Sequence, residues 1–94
     1  MAPRRAPVDV PVAPAGALDL VDFGVARDHA IAGAAARELG LPRDAFLAAV
    51  ARDGETIRPD RDTVIRPGDR LFVLVPRGRR ADLADVLARW RRLV

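Results

Sequence analysis

Apolar and polar positions alternate with a period of two in residues 18–25, which predicts a first strand. The alternation separates two apolar sets on opposite faces: Val21, Phe23 and Val25 on one, Leu18 and Leu20 on the other. Further apolar segments predict four more strands, over residues 45–52, 55–58, 63–65 and 70–75. Asp53-Gly54 predicts a two-residue hairpin turn, and Pro67-Gly68 predicts a type II turn with the glycine at positive φ.

Two other segments have the residue pattern of helices. Asp28 can cap a helix over residues 30–39, which Gly40 in a left-handed conformation and the following Pro42 would end. A last helix is predicted over residues 80–93, with one apolar stripe: Leu83, Val86, Leu87, Trp90 and Val94. The predicted order is therefore β-α-β-β-β-β-α, a small two-layer α+β domain.

Two of the predicted strands, residues 45–52 and 70–75, are apolar on both faces. A sheet with one face in water normally alternates between apolar and polar side chains. Because two short helices can cover only one face, the second face needs another cover. We expect a homodimer, in which a second copy of the chain covers that face. The alternative is a cover made by long arginine side chains and the N-terminal segment.

The length of 94 residues suits one small domain, at residues 18–94, after a proline- and alanine-rich linker at residues 1–17. The chain has no cysteine, which excludes a disulfide framework and a zinc–cysteine site. No apolar run approaches the roughly 18–20 residues that a membrane-spanning helix needs. We therefore expect a soluble, cytoplasmic domain, which can still be the cytosolic part of a membrane protein.

The charge balance bears on the choice of partner. The chain has no lysine, and its 16 arginines are interspersed with 13 carboxylates, for a net charge of +3. A nucleic-acid-binding domain would concentrate its basic residues on one face, so we expect no nucleic-acid partner. The alternative is an adaptor for nucleic acid or an acidic partner, using Arg77, Arg79, Arg80, Arg89, Arg91 and Arg92. A solvated amphipathic helix with arginines near its C-terminus explains the same pattern more simply.

Residues suited to catalysis are scarce. His29 is the only histidine, and the chain contains no serine, cysteine or tyrosine. Asp60 and Asp62 lie close together in a predicted loop, but two carboxylates without the spacing of a calcium-binding loop fit a solvated loop better than a metal site. No glycine-rich phosphate-binding motif is present. We expect no enzyme, no metal and no required cofactor.

The order of elements between Gly33 and Pro76 resembles one known family. Fourteen residues carry the resemblance: Gly33, Glu38, Leu39, Leu41, Pro42, Arg52, Gly54, Ile57, Pro59, Asp62, Thr63, Gly68, Asp69 and Leu71. They resemble the C-terminal lobe of the regulator-of-K⁺-conductance family, the RCK_C or TrkA-C domain, found on bacterial K⁺ channels, K⁺ uptake systems and cation/proton antiporters. Most of these residues belong to turns and core, so they indicate the fold more securely than a ligand.

The resemblance also implies a ligand, cyclic di-AMP, bound between two copies of the lobe. Carried onto this chain, Ile31 and Ala32 would form the floor beneath an adenine, beside Ala35. Arg37 would face a phosphate, Arg43 would make a second polar contact, and the backbone of Arg58 and Pro59 would border the base. Three positions depart from the family pattern, since Ala32 is small, Ala35 is apolar and Arg43 replaces an asparagine-like contact.

Two interpretations follow from the resemblance. The first is a regulatory module that senses cyclic di-AMP and controls a K⁺ or other monovalent-cation transporter at the cell membrane, in the same chain or in trans. The second is a structural dimerisation domain of such a transporter, with no small ligand. The nucleotide-binding lobe that precedes this domain in many members of the family is not among these 94 residues, so we assign no NAD or ATP site of that kind to them.

Overall fold

A computed structural model describes residues 17–93, which form one antiparallel sheet and one α-helix. The strands are β1 (Leu18–Gly24), β2 (Phe46–Arg52), β3 (Glu55–Ile57) and β4 (Arg70–Pro76), and the helix is α1 (Arg80–Trp90). The strand order across the sheet is β1-β4-β2-β3. Short 3₁₀ turns occur at Ala36–Glu38 and Arg77–Arg79. Residues 1–16 of the predicted linker, and Val94, lie outside the described residues.

Helix α1 covers one face of the sheet, called here the inner face. Its side chains Leu83, Val86 and Trp90 are buried, as the predicted apolar stripe requires. On β4 every second residue points into this layer, and Leu71, Val73 and Val75 have no exposed surface. These two sets make up half of the buried apolar cluster of the domain. The prediction of a two-layer α+β domain is confirmed.

The predicted helix over residues 30–39 is wrong. Gly33 has φ +95°, and its N–H donates to the carbonyl of Ile65 at 2.7 Å. The N–H of Ile65 donates in turn to the carbonyl of Ala34 at 2.8 Å, and the N–H of Ala36 donates to Thr63 at 2.8 Å. Residues 30–39 therefore satisfy much of their backbone against residues 63–65 instead of within a helix, and Asp28 caps no helix.

The predicted strand at residues 63–65 is wrong for the same reason. Its contact with residues 33–36 is an isolated bridge between Ala35 and Val64, separate from the four-stranded sheet. The expected order of two helices and five strands is thus corrected to four strands and one C-terminal helix among residues 17–93. Gly40 does take the predicted left-handed conformation, with φ +69°.

Trp90, the last residue of helix α1, contacts the turns at residues 30–41 and holds them against the helix. Its indole N–H donates to the carbonyl of Leu39 at 2.8 Å, inside the core. Its ring also contacts Phe23 of β1 edge to face, with the ring centroids 5.2 Å apart. Because a buried indole N–H needs an acceptor, this bond selects one position of the segment against α1.

A β-bulge decides which residues of β2 face the core. The alternation expected from the sequence put Phe46, Ala48 and Val50 on one face. The register instead shifts between Leu47 and Ala49, so that Leu47 pairs with Val73 and Val50 pairs with Leu71, both on the inner face. Phe46 pairs with Leu74 and stays on the opposite side. The extra residue of a bulge reverses the alternation beyond it.

The opposite side of the sheet, called here the outer face, has no covering helix among the described residues. It includes Leu20, Phe46, Phe72 and Leu74, which are joined through the β1–β4 and β2–β4 pairs. Leu20 is 62% exposed and Phe46 is 40% exposed, whereas Phe72 and Leu74 are half-buried. The ion pair of Asp22 and Arg70 lies on the same face. The expectation that a second copy of the chain covers this face stays a prediction.

Arg52 and Asp69 form a largely buried, bidentate ion pair between β2 and the residue before β4. Arg52 Nε donates to Asp69 Oδ1 at 2.8 Å, and Arg52 Nη2 donates to Asp69 Oδ2 at 2.7 Å. The backbone N–H of Arg66 adds a third bond to Asp69 at 2.9 Å. Arg52 Nη2 also donates to the carbonyl of Val64 at 2.8 Å. The arginine bonds lower the pKa of Asp69 below its ordinary value, against the raising effect of burial.

Both predicted turns are present. Asp53 and Gly54 have φ of +52° and +80°, the pair of left-handed residues that a type I′ hairpin needs. Gly68 has φ +93°, as the second central residue of a type II turn requires.

Replacing Gly68 with alanine should lower the free energy of unfolding by about 1–2 kcal/mol, because a Cβ strains a residue in the left-handed region. The space around Gly68 is open, so the cost comes from the backbone alone. Gly78→Ala is the matched control, since Gly78 also has open space but no positive φ. Urea unfolding of both variants checks this, and equal midpoints would contradict it.

Asp69→Ala should destabilise the fold by about 3 kcal/mol, since it leaves Arg52 unpaired. We take the low end of the range for buried pairs because Arg52 keeps 19% of its side-chain surface in water. Asp62→Ala is the matched control: it breaks an exposed ion pair and should cost about 0–1 kcal/mol.

The stabilisation by Asp69 should depend on pH. The pKa of Asp69 is lower in the folded than in the unfolded chain, so its stabilisation is complete above pH 3.8 and is lost as the pH falls through the folded pKa. Urea unfolding measured from pH 7 to pH 2 checks this. The difference in free energy of unfolding between the wild type and Asp69→Asn should become smaller only at the acid end of this range.

Candidate nucleotide-binding groove

A groove of about 300 Å³ lies beside the N-terminal half of β2, between the 3₁₀ turn at Ala36–Glu38 and residues 59–61. Its lining is apolar at the base and charged at the rim: Ala36, Arg37, Leu41, Ala45, Phe46, Leu47, Pro59, Asp60 and Arg61. The groove exists because β3 pairs only with Val50–Arg52, which leaves the first half of β2 without a neighbour on that side. Two residues predicted from the sequence, Arg37 and Pro59, meet here.

Arg37 stands at the rim of the groove with half of its side chain exposed. Its Nη1 donates to Asp62 Oδ1 at 2.7 Å. Its backbone N–H donates to the carbonyl of Arg61 at 3.0 Å. Arg37 is therefore bonded at two points to the adjacent loop at residues 60–63, while its Nε and Nη2 make no protein hydrogen bond among residues 17–93. That free edge of the guanidinium suits an oxyanion.

The loop at residues 60–63 is held by its own hydrogen bonds. Asp60 Oδ1 accepts from the N–H of Asp62 at 2.8 Å and from the hydroxyl of Thr63 at 3.3 Å. Thr63 Oγ1 accepts from the N–H of Asp60 at 2.9 Å. Asp60 and Asp62 thus act as turn and ion-pair residues, and the described part of the chain contains no cluster of three or more His, Cys, Asp or Glu that suits a metal.

The other predicted site residues lie elsewhere. Ile31 and Ala35 are buried, with 6% and 8% of their surface exposed, and Ala32 packs against the core. Arg58 is exposed and does not line the groove. In a single copy, an adenine floor made of Ile31 and Ala32 stays a prediction, as do the roles of Ala35 and Arg58.

Arg43 lines a second, more polar groove between the turn after Gly40 and helix α1. The other residues of that groove are Gly40, Pro42, Asp82, Asp85, Val86 and Arg89. Its two arginines and two carboxylates balance each other, so it presents no net charge to a ligand. The predicted contact of Arg43 with the same ligand as Arg37 stays a prediction.

Sequence reasoning missed seven of the nine residues that line the first groove: Ala36, Leu41, Ala45, Phe46, Leu47, Asp60 and Arg61. Phe46 was interpreted as an ordinary strand residue, and the bulge that separates it from the core has no signal in the sequence. Arg61 itself carries no signal in the sequence. Its neighbours Pro59, Asp62 and Thr63 belong to the resemblance pattern, and they indicate that this loop is structured.

His29, the single histidine, lies at the far side of the core. Its Nδ1 accepts from the N–H of Ala26 at 3.0 Å, and its ring stacks at a tilt on Phe23 with centroids 5.4 Å apart. These contacts make it a structural residue. None of the helices within residues 17–93 has the length and apolar character needed to cross a membrane.

Several solved structures resemble this chain. An RCK domain solved with the ligand abbreviated cda has 25% identity and a TM-score of 0.55, over 71% of this chain and 94% of that one. The RCK_C domain dimer of S. agalactiae BusR in complex with c-di-AMP has 26% identity and a TM-score of 0.54, over 74% of this chain and 87% of that one.

A third structure, S. agalactiae BusR in complex with its busA-promotor DNA, has 26% identity and a TM-score of 0.56. The match covers 83% of this chain but only 37% of that BusR chain. No curated protein sequence matches this chain. The sequence model of the TrkA-C domain matches residues 20–88, most of the chain. The chain therefore belongs to the TrkA-C (RCK_C) domain family.

Proposed function

We propose that this chain is a ligand-sensing regulatory domain that binds cyclic di-AMP at the border between two copies of itself. The observation that carries the proposal is the likeness to the RCK_C dimer of BusR in complex with c-di-AMP, over 74% of this chain. TrkA-C domains are regulatory and typically non-catalytic, which agrees with the scarcity of catalytic side chains.

The groove beside β2 has the chemistry that such a ligand needs. Phe46, Pro59 and Leu41 offer apolar surface to a base, and Arg37 presents a guanidinium edge at the rim. A planar guanidinium donates two parallel hydrogen bonds to a phosphate, which a lysine cannot do. An apolar base with a few charged groups at the rim is the usual composition of a small-molecule site.

Phe46 connects the groove to the expected dimer interface. It lines the groove and also belongs to the outer face, where it pairs with Leu74. A second copy that covers the outer face would therefore close the groove on one side. In a two-fold symmetric dimer two grooves then lie at the border of one interface, and a two-fold dinucleotide matches that symmetry.

The regulated protein is proposed on the family resemblance. RCK_C-like domains resemble the regulatory ends of K⁺ uptake systems and cation/proton antiporters, so a monovalent-cation transporter at the inner face of the cell membrane is the proposed partner. DNA binding is not carried over from BusR, because this chain matches only 37% of the BusR chain solved with DNA. A net charge of +3 with interspersed carboxylates also provides no concentrated basic surface.

The domain should form a dimer in solution. Light scattering at micromolar concentration should give about twice the mass of 10.2 kDa. Leu20→Asp should shift the particle toward the monomer, because it places a charge among the apolar side chains of the outer face, beside Leu74. Leu93→Asp is the matched control, since Leu93 is 68% exposed but lies off the sheet. A wild-type monomer at all concentrations would contradict the interface.

Cyclic di-AMP should bind the wild type with one molecule per dimer and raise its melting temperature by mass action. Arg37→Ala should weaken binding by about 1.5–3 kcal/mol, the range for hydrogen bonds to a charged group. Arg77→Ala is the control, because Arg77 is also an exposed, ion-paired arginine and lies outside the groove.

Calorimetry measures both the affinity for cyclic di-AMP and the rise in melting temperature, with ATP and cyclic di-GMP as control ligands. No heat and no melting shift for the wild type at about 100 µM ligand would favour the alternative, a dimerisation domain without a small ligand. Binding that is unchanged in Arg37→Ala would mean that the nucleotide binds elsewhere on the domain.

A further inference from the structure

We infer that Arg61 is a second phosphate-binding residue of the groove, acting beside Arg37 on the anionic part of a nucleotide. The inference rests on the proposed function in one respect, that the groove beside β2 is a nucleotide site. It adds a second arginine that lines the groove, contributed by the loop at residues 60–63.

The positions of the two arginines are set together. Arg61 lines the groove, and its carbonyl accepts the backbone N–H of Arg37 at 3.0 Å. Two residues further on, the carbonyl of Thr63 accepts the N–H of Ala36 at 2.8 Å. Two backbone bonds thus hold the loop against the 3₁₀ turn. The side chains of Arg37 and Arg61 therefore start from adjacent, fixed backbone positions beside one groove.

The two guanidinium groups differ in how far their charge is already neutralised. Arg37 gives Nη1 to Asp62 at 2.7 Å, and Asp62 is itself placed by the bond from its N–H to Asp60. Asp60 Oδ1 is occupied by that N–H and by the hydroxyl of Thr63. Arg61 makes no ion pair within residues 17–93.

Arg61 is therefore the groove cation that is open to an incoming anion, and an anion need not displace a carboxylate to reach it. Arg37 offers its remaining edge beside the same groove. Two arginines beside one groove bind a phosphate more strongly than one arginine whose charge is shared with Asp62. A ligand with an apolar base and a phosphate fits this arrangement, with the base on Phe46 and Pro59 and the phosphate at the rim.

Arg61→Ala should weaken the binding of cyclic di-AMP at least tenfold, the effect of losing one charge-assisted hydrogen bond. Arg61→Lys should recover part of the loss, because it keeps the charge without the planar fork. Arg27→Ala is the matched control, since Arg27 is exposed, has no ion pair in the described range and lies outside the groove. Because Arg61 is exposed, its variants should unfold at the wild-type urea concentration.

Calorimetry with cyclic di-AMP, together with amide chemical shifts during titration with AMP, ADP and cyclic di-AMP, gives distinct outcomes. If cyclic di-AMP binds and Arg61→Ala behaves like Arg27→Ala, the inference is overturned and the proposed function stands. If cyclic di-AMP does not bind but AMP or ADP shifts the amides of Arg37 and Arg61, and Arg61→Ala abolishes the shifts, the inference stands and the proposed ligand falls. If no nucleotide shifts the groove amides, both are overturned.

Discussion

The buried ion pair of Arg52 and Asp69 is the interaction on which the arrangement of the other segments depends. Asp69 is almost fully buried, yet both of its oxygens are occupied by Arg52 and one also by the N–H of Arg66. Arg52 also donates to the carbonyl of Val64, and so it connects the end of β2, residues 63–65 and the start of β4. Neither residue can be removed alone without leaving a charge that is poorly hydrated, so the pair holds these segments as one unit.

The candidate groove is a consequence of that unit. Residues 63–65 are held by Arg52 at the carbonyl of Val64 and by backbone bonds to residues 33–36, which fixes the adjoining loop at residues 60–63. This loop, the 3₁₀ turn at Ala36–Glu38 and the start of β2 together line the groove. The charged side chains at the rim of the groove, Arg37 and Arg61, therefore project from backbone that is held by hydrogen bonds to the rest of the fold.

The proposed regulation follows from where the groove lies relative to the outer face. Phe46 is shared by the groove and by the apolar surface that a second copy would cover. A ligand that fills the groove would then contact both copies, so that ligand binding and dimer association favour each other through linked equilibria. Such coupling gives a small domain without catalytic groups a way to report a nucleotide concentration to a larger partner.

The sequence by itself determined the parts of the fold that depend on local chemistry. The patterns of strands β1 to β4, the Asp53-Gly54 and Pro67-Gly68 turns, the left-handed Gly40 and the apolar stripe of α1 were predictable, because each depends on residues close in the chain. Tertiary structure decided the rest. Residues 30–39 have a helical composition but hydrogen-bond to residues 63–65, and the bulge in β2 turned Phe46 away from the core. The groove joins residues more than twenty positions apart, Arg37 and Arg61 among them, and no local pattern records which distant segment will satisfy a given backbone bond.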